Sequence, residues 1–194
     1  MIDTISTLLK HAVDLLREGE IQRGKFYKEV VEPFHAFYLR LKQNHNETFE
    51  LFITELQKLE PDYASLAREL EKRTVTESID WLTIDIFVRD HAPNPRRELA
   101  DAFSQYISTL DKCVETIEGE RGIVFYGGLR SCIPNPMVVQ FLRPSDPRFG
   151  SSSLTSHEMR EKTLLKVFGL RKRYADFCSQ VEVRLLTLRR ICLV

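Results

Sequence analysis

The sequence has few cysteines, few glycines and no long apolar run. Its four cysteines, Cys113, Cys132, Cys178 and Cys192, lie far apart and form no Cys-x-x-Cys pair. That leaves no zinc-ligand spacing and no disulfide framework. They read as free thiols of a reducing compartment, so the expected location is the cytoplasm. No uninterrupted apolar stretch approaches the roughly 20 residues of a membrane-spanning helix. Met1 is followed by Ile2, Asp3 and Thr4, so a basic signal-peptide region and a myristoylation glycine are both missing at this end. There is no Gly-x4-Gly-Lys-Ser/Thr cradle, no Gly-x-Ser-x-Gly elbow and no Gly-x-Gly-x-x-Gly turn. Nothing therefore points to a P-loop nucleotide site, a hydrolase nucleophile or a dinucleotide fold. No cofactor and no metal are expected.

Apolar residues make up 43% of the 194, with 12 phenylalanines, enough for one domain with a substantial core. Helical periodicity dominates. Ile2, Ile5, Leu9, Ala12 and Leu16 fall on one face of a first helix, with Gly19 as a plausible stop. Phe26, Val30, Phe34, Phe37 and Leu41 define a second, in which Pro33 predicts a kink or a late start. Asn44 and Glu47 have the spacing of a capping box for a third helix over Phe49, Phe52, Leu56 and Leu59, unless the second simply continues with His45 facing inward. Pro61 suits the first position of a helix running on from Tyr63 to Lys72. Thr74 and Glu77 cap a further apolar stretch at Ile79 to Val88, and Asn94 lies between Pro93 and Pro95 as an N-cap. The cleanest seam is Leu99, Phe103, Tyr106, Leu110, Cys113 and Ile117.

Between residues 119 and 156 the composition changes, with five of the eight glycines and four of the eight prolines. Ile123 to Tyr126 and Met137 to Leu142 read as two short strands or a small hairpin, and Gly127-Gly128 as a turn. Thr155 and Glu158 cap a long final helix. Its seam is Val167, Leu170, Tyr174, Phe177 and Val181, resumed after a one-residue slip by Leu185, Leu188 and Cys192. The fold expected is all-α, an elongated and mainly antiparallel helical bundle. A Gly/Pro-rich loop or small β-hairpin insertion precedes its long C-terminal helix.

Net charge is zero, but its distribution is uneven. Residues 1–118 hold 22 acidic and 15 basic side chains, residues 119–156 two and four, and residues 157–194 four and nine. Arg171, Lys172, Arg173, Arg184, Arg189 and Arg190 make the last helix a weak candidate for nucleic acid or another anion. The simpler reading is that it docks on the acidic helices of its own chain.

Few residues carry a recognisable chemistry. Glu32 and His35 have the Glu-x-x-His spacing of a di-iron bundle, but no other histidine repeats it. Arg40 and His45 form an Arg-x4-His, similar in spacing to the Arg-x4–6-His signature of HEPN-like helical ribonucleases. Arginine would stabilise the phosphorane charge and histidine would move a proton. The match spans six residues, places Leu41 where a polar residue is usual, and lies early in the chain. With 18 arginines and five histidines, one such spacing is an expected coincidence. It stands as the enzymatic or RNA-binding alternative. The aromatics Phe26, Tyr27, Phe34, Phe37 and Tyr38 read as core rather than as a ligand pocket, with Tyr27 and Tyr38 off the main stripe.

The leading expectation is a non-catalytic interaction or regulatory protein, an adaptor or subunit of a larger protein assembly. Its long seamed helices favour a protein partner or a homo-oligomer, with the final helix as the dimer element. Phe125, Tyr126, Arg130, Met137, Phe141 and Arg143 form the candidate recognition surface, since aromatics and arginine are enriched in binding hot spots.

Overall fold

A computed structural model of the chain describes residues 2–17, 22–73, 97–132 and 156–193. About 95% of these are helical and none is in a strand. The all-α class is as expected. Helix α1 (Ile2–Arg17) buries Leu9, Ala12, Val13 and Leu16 against the start of the next rod. His11 Nε2 meets the Glu29 carboxylate there at 2.7 Å.

That rod begins as α2 (Arg23–Phe26), widens into a π-turn (Tyr27–Val31) and continues as α3 (Glu32–Gln57). Proline has no N–H to donate, and its ring crowds the carbonyl one turn back. The irregularity expected at Pro33 takes the form of this π-turn just ahead of it, which absorbs one extra residue without ending the helix. No third helix starts at Asn44. Its side chain instead reaches across to the Arg73 carbonyl at 3.2 Å, and His45 faces inward, as the continuous alternative required. The rod ends where the Glu55 carboxylate accepts the Asp62 N–H at 2.7 Å and Lys58 Nζ at 2.5 Å. Those bonds, the one from Lys58 first, hold Glu55 below the usual carboxylate range. Asp62 caps α4 (Tyr63–Lys72) by accepting the Ser65 N–H at 2.9 Å, so the helix starts two residues beyond Pro61. The cap at Thr74, the stretch 79–88 and the Pro93–Pro95 punctuation lie outside the described residues.

In α5 (Arg97–Glu120) all six residues of the expected seam are buried. The chain then passes through a second π-turn (Arg121–Tyr126) into α6 (Gly127–Cys132). The strand expected at Ile123 to Tyr126 is therefore helical, and Gly127-Gly128 is not a turn. β-branched and aromatic residues suit a strand only where a neighbouring strand completes the ladder. Here the packing partner is a helix. Met137 to Leu142, Ser151–Ser153 and Thr155 lie outside the described residues.

Gly128 has a specific reason to be glycine. A Cβ placed on it would stand 2.5 Å from the Thr163 methyl of α7 (Ser156–Leu193). Alanine in a helix normally gains about 1 kcal/mol over glycine. Here the contact reverses the sign, and Gly128→Ala is expected to destabilise by about 1–3 kcal/mol in urea denaturation. Adding Thr163→Ser removes the methyl, keeps the hydroxyl that Cys132 faces at 3.7 Å, and should recover most of the loss.

The 38 residues of α7 span about 57 Å and supply the surface on which α2, α3, α5 and α6 meet. Its buried row is Thr163, Val167, Leu170, Tyr174, Cys178, Val181, Leu188 and Cys192. Cys178 takes the place expected for Phe177, which is half-buried. The slip therefore falls earlier, at two successive four-residue steps through Tyr174. Contacts fix the directions. Tyr38 meets Cys178, His45 meets Tyr174, Glu50 meets Arg171, and the Lys58 carbonyl meets Arg160, so α3 and α7 are antiparallel. Cys113 meets Cys178 and Glu120 meets Arg173, so α5 and α7 are antiparallel as well. Aromatic rings bridge α2–α3 to the α5 side. Phe103 stands edge-on to Phe26 at 5.3 Å and Phe34 at 5.7 Å, and Phe125 lies 4.9 Å from Phe52 and 5.7 Å from Phe49.

Candidate functional site

The residues singled out by motif do not converge. Arg40 is exposed on α3, while His45, five residues and well over a quarter-turn further round, is 1% exposed in the core. His45 Nδ1 is 3.0 Å from the Tyr174 hydroxyl, and the two rings meet edge-on at 5.2 Å. Glu32 is exposed, and His35 is half-buried against Tyr38 at 5.9 Å. Burial holds the His35 pKa below its ordinary value, chiefly by disfavouring the cation. Among the described residues no group of three or more His, Cys, Asp or Glu is placed to hold a metal ion.

The expected recognition surface divides in a similar way. Phe125 is 1% exposed and belongs to the core, which corrects its assignment to a surface. Tyr126 is partly buried against that core. The side chain of Arg130 and all of Met137, Phe141 and Arg143 lie outside the described residues. Tyr38, off the main aromatic stripe, is fully buried. In the basic helix, Arg171 pairs with Glu50 and Arg173 with Glu120, so these two positive charges are neutralised inside the chain. Lys172, Arg184, Arg189 and Arg190 are exposed, and none has an ion-pair partner among the described residues.

Two features went unrecognised in the sequence. One is a polar cluster where α3, α5 and α7 meet. The Tyr38 hydroxyl donates to the Cys178 carbonyl at 3.3 Å, and the Cys113 and Cys178 sulfurs are 3.8 Å apart. At the rim, Lys42 Nζ binds Glu182 at 2.5 Å and lies 5.8 Å from the centre of the Tyr38 ring. The Glu182 bond raises the Lys42 pKa against the opposing effect of burial. A shallow groove of about 630 Å³ adjoins this rim, lined by Leu39, Gln43, Asn46, Glu47, Glu50 and Arg73 as well as Lys42. Glu47 and Arg73 pair across it at 2.7 Å.

The other feature is the outer face of α7. Leu165, Phe168, Val183, Leu186 and Leu193 are all exposed, Leu165 at 72% and Val183 at 60%. Steps of three residues join Leu165 to Phe168, and Val183 to Leu186, on the side away from the buried row. Helical spacing of apolar residues on both faces was legible in the sequence, but it did not say which face the chain itself would cover. No family model matches the chain, nor does any curated protein or solved structure.

Proposed function

We propose that the chain is a non-catalytic helical interaction protein, an adaptor or subunit of a larger assembly, that docks its partner along the outer face of α7. The observation that carries this reading is the exposed row Leu165, Phe168, Val183, Leu186 and Leu193 on a helix already buried along its other side. A helix with a second apolar row suits a further helix laid against it. The exposed cations Lys172 and Arg190 lie on the same face and Arg189 beside it, and they favour an acidic partner. A second copy of this chain offers such a surface, because its residues 1–118 hold 22 acidic against 15 basic side chains.

The test is sedimentation across a dilution series, comparing wild type with Val183→Glu/Leu186→Glu. Both positions are exposed, so the double variant should unfold within about 0.5 kcal/mol per site of wild type. A dimer whose dissociation constant rises at least tenfold in the variant supports the reading. A monomer at every concentration overturns self-association. Pull-down then decides the interaction reading: a retained protein lost with the double variant supports docking through α7, and capture that ignores it overturns that face.

A further inference from the structure

The Cys113–Cys178 pair is the only place among the described residues where two thiols touch, and it joins the two helices with the most extensive contact among the described elements. We propose that a peroxide-class oxidant closes this pair to an intramolecular disulfide that locks α5 to α7. The sulfurs stand 3.8 Å apart, and a disulfide needs about 2.05 Å, so closure asks for less than 2 Å of movement. Both thiols are buried, Cys113 at 1% and Cys178 at 4% exposure, so a small neutral oxidant such as hydrogen peroxide fits the site better than a large one.

The surroundings divide the labour between the two sulfurs. The groups facing them are Tyr38 and Lys42 from α3 and Tyr174 from α7, with Glu182 paired to Lys42 at the rim. The hydrogen bond from Cys113 holds the Cys178 thiol below its ordinary pKa despite burial. Cys113, the donor to Cys178 and itself desolvated, is pushed up. Cys178 is therefore the sulfur that ionises first and attacks. Its thiolate takes one oxygen of the peroxide, the O–O bond breaks, and the departing hydroxide picks up a proton to leave as water. The product is a sulfenic acid on Cys178. The Cys113 sulfur then gives up its proton, attacks the sulfenic sulfur, and the S–O bond breaks with release of a second water. Two thiols and one peroxide give one disulfide and two waters. Cys132, against Thr163, and Cys192, toward the far end of α7, have no thiol neighbour among the described residues. Burial pushes the Cys192 thiol up to about 11, which keeps it protonated.

The experiment treats the folded chain with equimolar hydrogen peroxide, alkylates remaining thiols in denaturant, and maps non-reduced peptides by mass spectrometry. The expected result is a linked pair of peptides carrying Cys113 and Cys178, an intact chain lighter by two hydrogens, and alkylated Cys132 and Cys192. Cys113→Ser should leave Cys178 stalled as a sulfenic acid that dimedone captures, while Cys178→Ser should give neither product. The linked chain should melt about 10 °C above the reduced one, since the bond closes a loop across 65 positions. Four alkylated thiols after treatment, or a link between any other pair, overturns the proposal. A linked chain that melts no higher than the reduced chain overturns the lock.

Discussion

Phe125→Ala is expected to destabilise the fold by about 3–5 kcal/mol, while Ile123→Ala two residues earlier changes it by less than about 0.5 kcal/mol. The contrast comes from the second π-turn. In a strand, residues 123 and 125 would share a face. In the helical segment they do not: Ile123 is 68% exposed, while Phe125 is buried between Phe49 and Phe52 of α3. Removing the Phe125 ring deletes an edge-to-face pair at 4.9 Å and leaves a void that three packed helices cannot easily close. Chemical denaturation of the two variants measures it. Equal losses at both positions would contradict the helical assignment, and a negligible loss at Phe125 would return that residue to the surface.

His45→Ala is expected to lower stability by about 2–4 kcal/mol, and Arg40→Ala to leave it within about 0.5 kcal/mol. His45 fills space between α3 and α7, and its Nδ1 is the partner of the buried Tyr174 hydroxyl at 3.0 Å. Alanine opens a cavity and strands that hydroxyl, and a buried hydroxyl without its partner costs about 1–3 kcal/mol by itself. A ribonuclease using Arg40 and His45 predicts another pattern, in which each substitution abolishes RNA cleavage and neither affects folding. Denaturation and a cleavage assay on the same two variants separate the readings. Loss of cleavage in a stable His45→Ala chain would favour the enzyme.

Most of the helical scaffold was legible because one-sided apolar spacing is a local property. Leu99 through Ile117 repeat so regularly that the buried face of α5 follows from the sequence alone. The boundaries were less legible. Asn44 has the spacing of a cap yet sits mid-helix, because its side chain found the Arg73 carbonyl, a partner 29 positions away. Ile123 to Tyr126 have strand-like side chains, but no neighbouring strand exists among the described residues to use them. The polar cluster was illegible for the same reason. Tyr38, His45, Cys113, Tyr174 and Cys178 come from three helices, and only the register between those helices brings them together. Phe177 and Cys178 show how fine that register is, since one residue decides whether a ring or a thiol enters the cluster.

The antiparallel placement of α7 also orders events during synthesis. Tyr38 and Cys178 are 140 positions apart, and Arg23 reaches a carbonyl 168 positions away. On the ribosome, α1 to α6 therefore emerge first, and the faces that α7 covers stay open to water until it is made. At about 5–20 residues per second, the chain from Tyr38 to Cys178 takes roughly 7–28 s to synthesise. A nascent chain held that long with Tyr38, Phe49 and Cys113 lacking their α7 partners is a natural client for chaperones, and premature termination before α7 should yield an aggregating fragment rather than a smaller folded one.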